Sequence, residues 1–242
     1  MNESNLKVKW NFYDLLRVIL LIMVLIILTI GTGIFLKLEN ISIFAQEKSL
    51  QTVLLFVIQS AIIILPWYFF IVRKYKLKAS EVGFKKFPIL QGIASIFKGY
   101  AIFLFMAYLV SILQYNFGIH VPGFEKQDSH IPWFGDNNLS IFIAVLVVVI
   151  IAPLVEEIFF RGFILQTFLN RFGTYLASGI SALIFAAAHL EFKNILPLFI
   201  LGLILNYIFI KNNRSIWPAI IFHALNNSIT LFAEYYIYFN AG

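Results

Sequence analysis

The sequence predicts an all-α protein, a polytopic transmembrane helix bundle with about seven spans. Hydrophobic residues make up 61% of the 242 residues and charged residues only 12%, whereas soluble domains average about 45–50% and about 25%. The apolar residues also occur in runs close to the roughly 20 residues that cross a bilayer. Because lipid offers no hydrogen bonds to the backbone, such runs are expected to be helices.

Seven apolar runs are candidate spans, with six to eight as the range. They are Val18–Leu36, Thr52–Val72, Gly99–Phe117, Leu139–Val155, Phe172–Leu190, Ile195–Ile210 and Ser215–Ala233. The fourth run resumes after a short charged stretch and continues to Leu169, which predicts one long helix over about 139–169. No soluble segment is long enough to form a second domain, so residues 1–242 are interpreted as a single integral-membrane domain.

Amino-acid composition and charge exclude several classes of function. The absence of cysteine excludes disulfides, thiol catalysis and thiolate metal sites. The net charge of +6 comes from basic residues between the apolar runs, so we interpret it as a topology signal and expect no nucleic-acid partner. Lys and Arg are concentrated before the first run and in the second connection. This predicts a multi-pass cell-membrane protein with a cytoplasmic N-terminus, and Ser80–Lys98 along the inner interface.

Charged and polar residues inside the apolar runs indicate a site. A charge at mid-bilayer costs at least about 2.5–3.5 kcal/mol, yet Glu156, Glu157 and Arg161 share one apolar helix. Glu157 and Arg161 are four residues apart, the spacing of a helical ion pair, and a purely structural pair is the competing interpretation for them. His189 also lies in an apolar run. Counted from a turn near Phe172, Glu156 and His189 are both roughly 25 Å deep, so an antiparallel helix pair places them at one level.

Two further polar residues extend this prediction. His223 and Asn227 are four residues apart, on one face of the last run. Four polar groups from three helices favour a functional site over isolated packing residues. By contrast, the loop that holds His130 and Asp136 is interpreted as solvated, and Glu234 as exposed near a helix end.

The three motifs resemble those of a known family. Glu156-Glu157-Ile-Phe-Phe-Arg161 is similar to a motif of two glutamates followed by arginine, Phe185-Ala-Ala-Ala-His189 to Phe-x-x-x-His, and His223-Ala-Leu-Asn-Asn227 to His followed four residues later by Asn. In this order on hydrophobic helices they resemble the CPBP family, the CAAX-protease and bacteriocin-processing (Abi) intramembrane endopeptidases. The resemblance covers about Leu139 to Ala233, so 139–233 would be the catalytic core.

The resemblance implies a role for each residue. Glu156 would activate water as the general base, with His189 holding or polarising that water. His223 and Asn227 would stabilise the oxyanion, while Glu157 and Arg161 would support the site. Peptide hydrolysis does require a base, a water and oxyanion donors. The substrate would be a membrane-embedded or lipid-associated peptide in the bilayer.

The sequence allows more than one hypothesis about metal dependence and more than one about function. We favour no cofactor, with Zn²⁺ held by Glu156, His189 and His223 as the alternative metalloprotease mechanism; the His-Glu-x-x-His helix of zinc proteases is absent. The alternative to an endopeptidase is a non-catalytic bacteriocin-immunity or peptide-binding membrane protein. A proton-linked transporter is a third hypothesis, but no inverted repeat is visible in the sequence.

Overall fold

The computed structural model describes residues 7–38, 48–125 and 129–240, and it is helical with no strand among them. This confirms the all-α fold class. Seven helices of 15 or more residues occur in these ranges. They are α1 Phe12–Leu38, α2 Ser49–Arg73, α3 Ile89–Phe117, α4 Asn138–Leu169, α5 Thr174–Ala188, α6 Phe192–Lys211 and α7 Trp217–Asn240. Short helical turns cover Ala79–Val82 and Ile131–Phe134.

Each long helix contains one predicted apolar run or most of it. Within the described ranges, five helices are long and apolar enough to cross a membrane, namely α1 to α4 and α6. The chain is therefore a membrane protein. Helix α5 has only 15 residues, about 22 Å at 1.5 Å per residue. Helix α7 has 24 residues but carries more polar side chains than the others.

Two helices differ from their predicted form. Helix α3 begins at Ile89, so the second half of the segment predicted to lie along the interface is part of a span. Helix α4, predicted as one continuous helix, widens into π-helical turns on either side of Pro153, at Val145–Ile151 and Phe160–Leu165. π-helical turns are rare in proteins overall, but those that do occur are often located at functional sites.

The described residues divide into two compact units. The first, called the helix-five unit, consists mainly of residues 79–125 and 160–223. Its helices α5 and α6 pack closely because their contact residues are small. A Cβ on Gly202 would lie only 3.0 Å from the Ala182 Cα, so glycine is required for this approach.

The second unit, called the helix-two unit, consists mainly of residues 9–38, 48–78, 129–159 and 224–240. Its core is an apolar cluster that joins the first part of α4 to the second part of α7. The buried members are Phe134, Ala144, Val147, Leu231 and Tyr235. Asp14 is buried in this unit and accepts hydrogen bonds from Lys74 Nζ at 2.7 Å and Tyr75 Oη at 2.6 Å. These bonds tie the start of α1 to the end of α2.

Candidate functional site

The six predicted site residues are divided between the two units. Arg161, His189 and His223 belong to the helix-five unit. The remaining three, Glu156, Glu157 and Asn227, belong to the helix-two unit.

In the helix-five unit, one aromatic ring contacts all three predicted residues. Phe185 is fully buried. The Arg161 guanidinium carbon lies 4.5 Å from the centroid of the Phe185 ring, a cation–π distance. The imidazole centroids of His189 and His223 lie 4.7 Å and 5.9 Å from the same centroid, each edge to face. The Phe185 ring thus links residues from α4, α5 and α7.

Arg161 is held in place by α6. Its side chain is fully buried. Its Nε donates a hydrogen bond of 3.2 Å to Asn206 Oδ1, and a terminal nitrogen donates one of 3.3 Å to the Gly202 carbonyl. Asn206 Nδ2 in turn donates to the Ser178 carbonyl at 3.0 Å. A buried charge needs such hydrogen bonds, and here they fix the guanidinium against Phe185.

Sequence reasoning missed Asn206. It is fully buried in a run of apolar residues on α6. A polar residue in such a run was itself the signal that singled out His189 and His223. The same signal, applied to amides as well as to charged and titratable groups, would have found it.

The orientation of His189 is set by its own helix. Its Nδ1 lies 2.8 Å from the Phe185 carbonyl oxygen. Because a carbonyl only accepts hydrogen bonds, Nδ1 carries the proton, and in the neutral ring Nε2 is then an acceptor. Directly after His189, Leu190 adopts φ +56° and α5 ends. A left-handed leucine is strained, and such strain is concentrated at functional sites.

His223 lies on the first turns of α7 and is buried, with 3% of its surface exposed. The preceding residue, Phe222, packs against the Tyr100 ring at a centroid distance of 4.6 Å, and Tyr100 Oη contacts the Phe222 carbonyl at 3.4 Å. These contacts attach this part of α7 to α3. His223 is thus fixed both through its ring contact with Phe185 and through its neighbour in the chain.

In the helix-two unit, the two adjacent glutamates differ in exposure. Glu157 is fully buried, whereas Glu156 is partly exposed. They follow the π-helical turn Val145–Ile151 in α4. A base must be reachable by water; Glu156 is the more exposed residue of the two, although the Oε2 atom of each glutamate is buried.

Asn227 is attached to α4 by its side chain. Its Nδ2 donates a hydrogen bond of 2.9 Å to the Val148 carbonyl, which lies in the π-helical turn. The amide nitrogen has two hydrogens, so one remains for another acceptor. Val148 precedes Glu156 by eight residues, about 12 Å along the helix.

Among the described residues, neither unit holds three His, Asp or Glu side chains close enough together to bind a metal ion. The predicted zinc ligands Glu156, His189 and His223 come from both units. The absence of a cofactor therefore remains a prediction.

One sequence interpretation is wrong. Glu234 is not an exposed residue near a helix end, because its side chain is only 17% exposed. Its carboxylate accepts hydrogen bonds from the His130 backbone N at 2.8 Å and from Ser129 Oγ at 3.3 Å, and its Oε1 lies 2.9 Å from His130 Nδ1. Burial raises the pKa of the Glu234 carboxyl, but these hydrogen bonds outweigh it and hold the pKa below its ordinary value.

Two other contacts attach the same loop to α7. Tyr238 Oη donates to Asp136 at 2.8 Å, and Tyr235 Oη donates to the Gly135 carbonyl at 2.8 Å. Together with the bonds to Glu234, they make the segment Ser129–Asp136 part of the folded helix-two unit. The loop was interpreted as solvated because its polar residues are typical of loops; their partners lie about a hundred residues later in the sequence.

The fold shows that the chain is a helical membrane protein. Comparison with known proteins shows which family part of the chain resembles. Residues 138–229 match the family model described as type II CAAX prenyl endopeptidase Rce1-like. The three motifs, from Glu156 to Asn227, all fall within this segment. The resemblance inferred from the motifs is therefore confirmed over these residues.

Three curated relatives match parts of the chain. An Escherichia coli protein named "Uncharacterized 24.3 kDa protein" is 33% identical over 94 residues, covering 36% of this chain and 43% of the relative. The Bacillus subtilis (strain 168) protein named "Putative membrane peptidase YdiL" is 24% identical over 136 residues, covering 56% and 54%. The Lactococcus lactis UPF0177 protein YxdF is 36% identical over 78 residues, covering 32% and 42%.

The chain thus spans about half the length or less of these curated relatives. No solved structure gives a significant match. The comparisons support the family over the second half of the chain and leave the first half without a family assignment.

Proposed function

We propose that this protein is an intramembrane endopeptidase that hydrolyses a membrane-embedded or lipid-associated peptide with water activated by Glu156. The observation that carries this proposal is the match of residues 138–229 to the CAAX-type endopeptidase family over the segment that contains all three motifs. The Bacillus subtilis relative named as a membrane peptidase supports the same reaction class.

The reaction is a general-base hydrolysis. The Glu156 carboxylate takes a proton from water while the water oxygen attacks the carbonyl carbon of the scissile peptide bond. When the resulting tetrahedral intermediate collapses, the carbon–nitrogen bond breaks. Glu156 then returns the proton to the leaving amine, which balances the reaction. The partial exposure of Glu156 supports its role as the base.

His189 would hold the attacking water. The hydrogen bond of its Nδ1 to the Phe185 carbonyl leaves Nε2 as the acceptor, which can take a hydrogen bond from water. The water would then lose its other proton to Glu156. In this proposal His189 is a catalytic residue and Phe185 a positioning residue.

His223 and Asn227 would stabilise the negative charge on the substrate oxygen. Donors in a water-excluding environment contribute strongly to such stabilisation, and removal of one typically costs about 10²–10³ in kcat. The burial of His223 and the second hydrogen of the Asn227 amide support these roles. Glu157 and Arg161 are supporting residues, and both are fully buried.

We further propose a multi-pass cell-membrane location with a cytoplasmic N-terminus and a single domain whose catalytic core is 139–233. The basic residues before α1 and in the connection after α2 support this orientation. The reaction requires no cofactor in this proposal.

The test compares peptides from cells that produce native protein, Glu156→Gln or Glu125→Gln at equal abundance. Glu125→Gln is the matched control, because it makes the same change at a glutamate whose side chain is 41% exposed. Mass spectrometry of membrane and secreted peptides should reveal a precursor that accumulates only with Glu156→Gln. Identical peptide profiles in all three strains would contradict the proposal and favour the alternative, a bacteriocin-immunity or peptide-binding protein.

A further inference from the structure

Asn206 is an amide side chain buried within the apolar helix α6. It is fully buried in the helix-five unit. A buried polar group is costly unless it forms hydrogen bonds, so an asparagine at this position needs partners that a leucine would not need. The amide has partners on two other helices, and each partner is connected to the same aromatic ring.

The first partner of the amide is Arg161 on α4. Asn206 Oδ1 accepts a hydrogen bond of 3.2 Å from Arg161 Nε. Gly202, one helical turn earlier on α6, accepts a second hydrogen bond from the same guanidinium at 3.3 Å through its carbonyl. The guanidinium carbon lies 4.5 Å from the centroid of the Phe185 ring. Asn206 therefore helps to set where the cation lies on this ring.

The second partner of the amide is the backbone of α5. Asn206 Nδ2 donates a hydrogen bond of 3.0 Å to the Ser178 carbonyl. Ser178 precedes Phe185 by seven residues, about two helical turns, so both residues lie on one side of α5. The hydrogen bond attaches this side of α5 to α6. One amide thus holds both the helix from which Phe185 projects and the cation that lies on its ring.

The chemistry of the two partners requires an amide between them. A guanidinium only donates hydrogen bonds, and a backbone carbonyl only accepts them. The side chain between them must therefore accept at one atom and donate from another. A carboxamide does both, whereas an ionised carboxylate only accepts and an alkyl group does neither. This requirement accounts for an asparagine in this part of α6.

The Phe185 ring connects this hydrogen-bonded group to both histidines of the predicted site. The ring is fully buried. It contacts the Phe160 ring at a centroid distance of 5.1 Å, and the His189 and His223 imidazoles at 4.7 Å and 5.9 Å. Protein interiors are close-packed and transmit strain. A shift of the guanidinium or of α5 would therefore displace the ring and, with it, both imidazoles.

We propose that Asn206 is a positioning residue for the two imidazoles, acting through Arg161 and Phe185. This role rests on the proposed function, in which His189 holds the attacking water and His223 stabilises the oxyanion. A misplacement of about 1 Å in a catalytic group can cost about 10²-fold in rate. Asn206 itself contacts neither water nor substrate in this proposal, so its loss should lower kcat and leave KM nearly unchanged.

The first test observes the histidines directly and does not depend on activity. The full chain, purified in detergent with ¹³C-labelled histidine, contains four imidazoles. His189→Gln and His223→Gln identify two of the NMR signals by their loss. Asn206→Leu should move both of these signals, because the shielding by an aromatic ring depends on its distance from the observed group. The signals of His120 and His130 should stay in place.

Asn212→Leu is the matched control. Asn212 is a second fully buried asparagine of the same unit. Its Nδ2 donates to Ser95 Oγ and to the Ile208 carbonyl, each at 2.8 Å. Asn212→Leu should also lose stability, but it should leave all four signals in place, because these hydrogen bonds lead to α3 and to α6 itself.

A second variant covers the case in which Asn206→Leu does not fold. Asn206→Asp keeps the acceptor for Arg161 and loses the donor to the Ser178 carbonyl. It should move the same two histidine signals, because the attachment of α5 to α6 is lost.

The second test measures steady-state kinetics on the peptide substrate. Asn206→Leu should lower kcat about tenfold, with KM changed by less than about twofold. Asn212→Leu should keep the native kcat. Equal kcat values for native protein and Asn206→Leu would overturn the proposal.

The histidine signals decide the proposal separately from the peptidase activity. Signals of His189 and His223 that stay in place in the folded Asn206 variants would overturn it, whether or not the protein is a peptidase. Movement of the same signals in Asn212→Leu would overturn it too, since it would indicate a general loosening of the unit. A native protein without peptidase activity would contradict the proposed function, while the signals would still decide whether Asn206 positions the imidazoles.

Discussion

Arg161 Nε donates a hydrogen bond of 3.2 Å to Asn206 Oδ1, and both side chains are fully buried. This contact joins a motif residue on α4 to a residue that no motif contains. Because Asn206 also donates to the Ser178 carbonyl, it links α4, α5 and α6 within the helix-five unit.

Asn206→Leu should destabilise the protein by roughly 1–2 kcal/mol. Hydrogen bonds between membrane helices average about 0.6 kcal/mol, and the loss of an acceptor for a buried charge adds to that cost. Thermal unfolding in detergent measures the effect. Asn170→Leu makes the same change at an exposed position and should leave the midpoint unchanged. A midpoint for Asn206→Leu equal to that of native protein would contradict the prediction.

Phe185→Leu should lower kcat by about 10- to 100-fold with little change in KM. The ring contacts Arg161, His189 and His223, and small displacements of catalytic groups are costly. Phe209→Leu is the control, because Phe209 is equally buried in the same unit. Phe209→Leu should lose about as much stability as Phe185→Leu, but it should keep the native kcat. Parallel losses of activity and stability in both variants would indicate a packing role only.

Asn227→Asp should reduce kcat by about 100-fold or more, because a carboxylate cannot donate to the oxyanion. It also loses the hydrogen bond to the Val148 carbonyl. Asn226→Asp changes the neighbouring residue on a different face of α7 and should keep most activity. Steady-state kinetics on the peptide identified above measures both. Near-native kcat in Asn227→Asp would remove Asn227 from the mechanism.

The contact between His130 and Glu234 should make stability depend on acidic pH. The pKa of Glu234 is lowered in the fold from its ordinary value of 4.5, so its contribution is complete above that pH and is lost as pH falls through the folded-state pKa. Glu234→Gln should therefore cost stability at pH 7, by under about 1 kcal/mol because solvent screens the pair.

The difference in unfolding midpoint between native protein and Glu234→Gln should shrink below about pH 4.5. Glu125→Gln is the control. Its contact with His120 spans 3.8 Å between exposed side chains, so it should have little effect at any pH. A difference for Glu234→Gln that stays constant down to pH 3 would contradict the prediction.

Removal of metal should leave the activity intact. Zinc content measured by mass spectrometry in active protein should be far below one ion per chain, and a chelator should not reduce kcat. The zinc alternative predicts one ion per chain, with activity lost on removal and restored by Zn²⁺. That result would favour the zinc mechanism, for which Glu156, His189 and His223 are the predicted ligands.

The positions of the helices could be predicted from sequence because apolar runs are local features. The long helix predicted over 139–169 is observed as Asn138–Leu169. The start of α3 was less predictable, since Lys98 interrupts the apolar pattern although the backbone remains helical from Ile89. Lysine is tolerated inside a helix, so one charge shifts a hydropathy boundary without ending the helix.

The sequence by itself determined the all-α membrane class and the motif residues, because isolated polar groups in apolar runs are recognisable from their cost in lipid. Only the tertiary structure decided their partners. Asn206 meets Arg161 across 45 residues, Asn227 meets Val148 across 79, and Glu234 meets His130 across 104. Hydrogen bonds depend on distance and angle between groups that only packing brings together, so no local pattern could specify them.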